Sequence, residues 1–376
     1  MASPVSTQAP SASLELDGLF DATSFLDDPA VESQRSRLLN PYYAVKPVLP
    51  RAAQLALRRL YARRQARRRF PAWPIETSLV DELKDRFRRE LRASGAERVP
   101  FLNFWPERQR FAFIVTHDVE GSEGVENIAR MLEVERRHGV RSSWNFVAED
   151  YPVDPGVFSA IRDAGCEIGL HGLHHDGLLF ADRASFVAQL PRIHSVMREW
   201  GAVGFRSPAT HRNAAWMEEL GCLYDSSFPD TDPFEPQPGG CCSIWPFFIG
   251  EMAELPITMV QDHTLFEILR QNSIESWVQK SDWLMRNHGL INVLVHPDYL
   301  LSERRLDLYD QLLEHLTGLG EGWHVLPREL ASWWTSRARL QRAAGTQGAP
   351  VTIDAGDWQA TIAYAREEGE EIVLDV

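Results

Sequence analysis

The chain has 376 residues, 44% hydrophobic and 24% charged, with a formal net charge of −14. That is enough apolar content for one large domain plus additions. The acidic balance argues against a general affinity for nucleic acid, and no run approaches the roughly 20 apolar residues of a membrane span.

Residues 1–35 are rich in Ser, Ala, Pro and acids and are predicted to be largely disordered. The first twenty residues lack the basic start and apolar core of a signal peptide. The four cysteines, Cys166, Cys222, Cys241 and Cys242, have no framework spacing and read as free thiols in a reducing compartment. A cytoplasmic location is the expectation. Residues 36–108 are predicted as a helical N-terminal extension. Within it, 51–70 carries Arg51, Arg58, Arg59, Arg63, Arg64, Arg67, Arg68 and Arg69 without an acid, beside a narrow stripe of Leu57, Leu60 and Tyr61. Such a helix can lie peripherally on an anionic membrane face, or dock on the body of the protein with its arginines paired to acids. The small apolar face favours docking.

The apolar run Phe111 to Val115 predicts a buried parallel strand that ends in Asp118 and Glu120. A spacing of two on a strand puts both carboxylates on one side, so one can bind a metal while the other serves as a base. An acidic helix N-terminus near Ser122 accounts for Glu120 or Glu123, less well for Asp118. A strand near 142–148 precedes Glu167-Ile-Gly-Leu-His-Gly-Leu-His-His175, where a short strand runs straight into His171. If the chain turns helically there, His171 and His175 at i and i+4 share a face and reach one cation, with His174 at i+3 as the substitute. Catalytic zinc commonly takes three protein ligands and a water, which calls for a carboxylate elsewhere. The plain alternative is a pair of surface histidines by a Gly-rich turn.

Further strands are predicted near 204–207, ending in Arg206; 222–226; 291–296, ending in His296; and 323–326. Helices are predicted at 123–138, 183–200, 274–288 and 304–318, the alternation of a parallel α/β fold. The proline-bearing stretch 227–260 is expected to loop over the barrel mouth, with Asp230, Asp232, Trp245, Asp262 and His263 as secondary candidates; it ends in a possible strand at 254–258. Residues 336–376 are assigned to a helix end and a small β appendage. Asp118, Glu120, His171, Arg206 and His296 all fall at C-terminal strand ends, which converge on one face of an α/β barrel.

At Thr116-His117-Asp118-Val119-Glu120, His171-x-x-x-His175, Phe205-Arg206-Ser207-Pro208 and Leu294-Val295-His296, the chain resembles the successive motifs of the polysaccharide deacetylases, the NodB-homology domains of carbohydrate esterase family 4. The resemblance covers about residues 109–335. It implies a distorted (β/α)7 TIM-like barrel, a divalent metal, usually zinc, and hydrolysis of N-acetyl groups on an amino-sugar or glycan substrate. By the same resemblance Asp118 would be the base, His171 and His175 metal ligands, Arg206 the partner of the base and His296 the acid. The sequence departs from the common first motif, two adjacent aspartates, by having Val119 then Glu120. This resembles an Asp-x-Glu variant found in subgroups that include amidohydrolases of cyclic amides. Glu120 is then the third ligand, with Asp118 the alternative. The tryptophan-bearing fourth motif is not recognisable: Tyr224-Asp225-Ser226-Ser227 lies in the right region, and Trp245 fits the spacing poorly. Hydrolysis of a cyclic imide or ureide, and a non-catalytic glycan-binding barrel, are the rival readings.

Overall fold

In the computed structural model, which describes residues 19–24, 26, 50–344 and 358–376, strands and helices alternate from residue 111 onward. Most of the stretch 1–35 lies outside the described residues. Helices α1 (Arg51–Gln65) and α2 (Ser78–Ser94) and strand β1 (Arg98–Leu102) come first. The alternating part runs β2 (Phe111–Val119), α3 (Ser122–His138), β3 (Ser142–Phe146), α4 (Pro155–Asp163), β4 (Glu167–Leu170), α5 (Arg183–Trp200), β5 (Gly204–Phe205) and β6 (Tyr224–Asp225). It continues through β7 (Phe247–Ile249), β8 (Met252–Glu254), α6 (Glu275–Arg286), β9 (Leu290–Val295), α7 (Glu303–Gly318), β10 (Gly322–His324) and α8 (Pro327–Ala344). The last elements are β11 (Ile362–Glu368) and β12 (Glu371–Asp375).

Nine strands form one sheet in the order β10-β2-β3-β4-β5-β6-β8-β7, with β9 also paired to β2. All pairings are parallel except β7 with β8. β9 spans Ala112 to His117 of β2 and overlaps the stretches paired to β10 and β3, so it occupies the opposite edge. The sheet curls. Past β8 the Met259 N–H donates to the Asn292 carbonyl at 3.2 Å, and Asn292 Nδ2 donates to the carbonyls of Leu255 and Pro256 at 3.1 and 3.0 Å. These bonds tie the far end of the sheet back to β9 and close a distorted (β/α) barrel. β2, at its centre, is buried along all nine residues, which is why it reads as an apolar run.

The C-terminal hairpin does not stand alone. β11 pairs antiparallel with both β12 and β1, joining the C-terminal hairpin to the strand that precedes the barrel in a three-stranded sheet. Ala363, Ala365 and Ile372 of the hairpin and Phe101 of β1 are buried, as is the Val80, Leu83, Phe87, Leu91 stripe of α2 at helical spacing. β1 escaped the sequence reading because its partner strand is far along the chain.

The stretch 227–260 is almost wholly buried, not an open loop. It is roofed by α1 and the segment after it. Arg58 donates to the Phe234 carbonyl, Gln65 Nε2 to that of Glu235 at 3.2 Å, and Thr231 Oγ1 to that of Ala72 at 2.6 Å. Asp230 is bound to Lys280, whose Nζ also reaches the Pro74 carbonyl at 2.6 Å, so Asp230 fastens the roof. Trp245 is a core residue at the opposite end of the barrel. Its Nε1 donates to the His288 carbonyl at 2.9 Å, beside the start of β9, and its ring stacks on Phe104. All four cysteines are free.

Candidate active site

The C-terminal rim gathers residues from five strands. Thr116 and Asp118 alternate with His117 along β2, so the first two face the barrel interior and His117 faces away. Asp118, buried, accepts a hydrogen bond from Asn145 Nδ2 on β3 at 2.9 Å. Its Oδ2 lies 3.7 Å from Arg206 Nη1 and 3.8 Å from His171 Nδ1. Burial pushes the Asp118 carboxyl up, but His171, Arg206, His296 and the Asn145 hydrogen bond together hold it below its ordinary value. Asn145, not Arg206, makes the direct bond. Arg206 donates through Nη2 to Thr116 Oγ1 and Ser226 Oγ, each at 3.0 Å, and acts on Asp118 through charge.

After β4 the chain does not turn helically. Residues 171–175 form an irregular turn in which Gly172 has φ +72 and a Cβ would meet Pro208 at 2.8 Å. Only glycine fits there. The turn brings the His171 and His175 rings to a centroid separation of 5.3 Å. His171 Nδ1 lies 3.0 Å from the Arg206 carbonyl, which can only accept, so Nδ1 carries the hydrogen. Nε2 is then a lone-pair donor, buried, with no hydrogen-bond partner. Burial lowers His171 to about 4, keeping the ring neutral. His174 turns the other way, to Asp150 at 2.8 Å, and lies outside the cluster.

Glu120, just past β2, completes the group. Its Oε1 is 3.0 Å from His175 Nε2, Tyr299 Oη donates to Oε2 at 3.0 Å, and its backbone N–H donates to Asp298 Oδ2 at 2.9 Å. Burial opposes its ionisation, but His175, His296 and His171 hold it well below the usual range. Ligand atoms of Glu120, His171 and His175 lie within 4.8 Å of one another, and among the described residues no other His/Cys/Asp/Glu group does so. Two imidazole nitrogens and a carboxylate oxygen, one nitrogen buried without a partner, are a donor set that fits zinc. The grouping takes Glu120 and leaves Asp118 beside it.

His296, directly after β9, faces the same space. Asp262 accepts both its ring Nδ1–H, at 2.7 Å, and its backbone N–H, at 2.8 Å. Nε2 is left facing Glu120 Oε1 at 3.8 Å. Burial alone would lower His296; Asp262, then Glu120 and Asp118, lift it to about 10. Of the secondary candidates, Asp262 thus touches a principal site residue. Asp232 accepts from the Phe234 N–H at 2.8 Å and from Thr264 at 3.3 Å, and the His263 ring lies 5.3 Å from Tyr299. The sequence reading missed Asn145, Asp298 and Tyr299. Asn145 left a signal, a polar side chain at an inward position of a short buried strand; Asp298 and Tyr299 follow His296-Pro297 directly.

No protein-family profile matches the sequence, and no curated protein matches it. Among solved structures, a candidate polysaccharide deacetylase from Mycobacterium smegmatis matches with a TM-score of 0.51 and 20% identity, over 66% of this chain and 96% of that one. Puue allantoinase matches with a TM-score of 0.46 and 18% identity, over 66% and 94%. A candidate polysaccharide deacetylase from Pseudomonas aeruginosa PAO1 gives 0.46 and 20%, over 62% and 93%. The chain therefore has the polysaccharide deacetylase fold, as the ordered motifs implied.

Proposed function

We propose that the chain is a metal-dependent amide hydrolase that removes an N-acetyl or similar acyl group from an amino sugar. One observation carries this reading. A buried imidazole lone pair, His171 Nε2, converges with His175 and Glu120 between two groups tuned in opposite directions, Asp118 held ionised and His296 held protonated. His171, His175 and Glu120 would hold the ion. Bound there, a divalent cation would supply Lewis acidity and a water whose pKa is lowered toward about 7. Asp118 accepts the proton from the attacking water while Asn145 fixes one of its oxygens and Arg206 keeps it ionised. His296 delivers its Nε2 proton to the leaving nitrogen, and Asp262 stabilises the ring before the transfer. The products are a carboxylate and an amine. The four free cysteines support work in a reducing compartment, hence on a small or lipid-linked amino sugar rather than finished wall polymer.

The test is acetate release from soluble and lipid-linked N-acetylhexosamines and chitin oligomers, and ring opening of a cyclic ureide, with metal analysis alongside. Asp118→Asn and His296→Ala are each expected to lose about 10²–10⁴-fold in kcat while retaining metal. No bound metal, with no binding or activation by added zinc or cobalt, overturns the proposal. Turnover of the ureide alone replaces it with the rival amidase.

A further inference from the structure

Helix α1 docks on the barrel by one face only. Ala62 and Gln65 are buried, Arg58 reaches the Phe234 carbonyl, and Arg59 Nε donates to the Glu267 carbonyl at 2.7 Å, its guanidinium 3.7 Å from the Glu267 carboxylate. The opposite face carries Leu57, 50% exposed, Leu60, 64%, and Tyr61, 42%, at i, i+3 and i+4, with Phe70, 58%, just beyond the helix. Four of the large apolar side chains exposed among the described residues thus crowd into one short stretch, where scattered single ones need no explanation. Between Tyr61 and Phe70 lie Arg63, Arg64, Arg67, Arg68 and Arg69, all exposed and without an ion-pair partner among the described residues. Arginines with a merely structural task would have met the acids of a chain with a net charge of −14. Here no acid lies within residues 51–70, and exposed apolar side chains flank the cations on both sides.

We propose that this face docks onto an anionic lipid surface. The arginines match the headgroup charge, and Leu57, Leu60, Tyr61 and Phe70 enter the boundary beneath it. The same helix roofs the Phe234–Glu235 segment and contacts Glu267 of the turn that begins at His263, next to the Asp262 that holds His296. Docking therefore sets the bilayer beside the catalytic rim. On the hydrolase reading above, that selects a lipid-linked amino sugar as substrate.

The experiment is sedimentation of the full chain with phosphatidylcholine vesicles, with and without phosphatidylglycerol. It needs no turnover, so its failure is separable from failure of the hydrolase reading. Partitioning is expected only with phosphatidylglycerol, and is expected to vanish at about 1 M salt, where the screening length is about 3 Å. Replacing Arg63, Arg64, Arg67, Arg68 and Arg69 by Gln one after another should weaken it about fivefold each. The triple variant Leu57→Ser, Leu60→Ser, Tyr61→Ser should weaken it about tenfold or more. An unchanged thermal midpoint shows that these variants fold. No phosphatidylglycerol-dependent binding in the wild type overturns the proposal. So does binding that survives the triple variant and is fully competed by soluble polyphosphate, the mark of a polyanion site. So does a dimer in sedimentation equilibrium that the same variants dissociate, the mark of a second copy on this face.

Discussion

The carboxylate of Asp262 accepts two hydrogen bonds from one residue, the ring and the backbone N–H of His296. Removing its charge leaves burial, which lowers His296, less opposed. On the proposed mechanism Asp262→Asn should therefore move the alkaline limb of the activity profile to lower pH by about 1–3 units, while the acid limb, assigned there to Asp118, stays where it was. An unmoved alkaline limb would detach His296 from the general-acid role. A second residue-scale dependence runs through glycine. A Cβ on Gly169 would lie 2.0 Å from Asn145 Oδ1, so Gly169→Ala must displace the side chain that holds Asp118. Its kcat should fall about tenfold or more with KM little changed, matching Asn145→Ala, since positioning the proposed base acts on the transition state. At this scale the sequence was legible wherever a polar group broke an apolar strand at its end. Asn145 and Asp262 were harder to read because their roles exist only through Asp118 and His296, on other strands.

Strand β2 serves two purposes, one per face. Inward, Thr116 and Asp118 belong to the site. Outward, His117 Nε2 lies 2.6 Å from Glu135 Oε1 of α3, and Glu135 also accepts from Ser142 Oγ at 2.7 Å and Tyr309 Oη at 2.9 Å. One buried carboxylate thus ties α3 to β2, β3 and α7. Glu135→Ala should leave those groups unsatisfied and cost on the order of 3 kcal/mol of unfolding free energy, read as a lower denaturant midpoint, while zinc affinity of the folded protein is preserved. An unchanged midpoint would mean that the links are replaced by water. Elements of the alternating region were readable because apolar runs and helical spacing are local signals: α5 falls at 183–200 and α3 at 122–138, as the pattern predicts. α4, β1, β7 and the irregular turn at 171–175 were not. β1 takes its conformation from a partner more than 250 residues on, α4 and β7 are too short for a periodic pattern to stand out, and the turn depends on a glycine pressed against Pro208.

Across the whole molecule, buried ionisable groups make stability depend on pH in a definite direction. Burial lowers His171, His288 and His324 to about 4 each; unfolding lets them bind protons below their ordinary 6.5, so they favour the fold as pH rises from 4 to 6.5. Buried carboxyls act the other way. Glu167 is lifted to about 7 by burial, against its Tyr224 bond, and Glu235 to about 8 by burial and the charge of Asp232. Each keeps a proton that the unfolded chain has already released, so each lowers stability as pH climbs from the ordinary carboxyl range to its folded value. Below pH 6.5 the two sets oppose. Above it the histidine contribution is complete, and Glu167, Glu235 and the raised His296 all release protons more readily on unfolding. For the chelator-treated protein, the thermal midpoint should fall steadily between pH 6.5 and about 9, each proton being worth up to about 1.4 kcal/mol per pH unit. Glu167→Gln should flatten the decline near pH 7, and Asp262→Asn should flatten it toward the alkaline end. A midpoint that is constant or rises over that interval would show that these groups are hydrated in solution, and with them the dry interior on which the tuning of Asp118 and His296 depends.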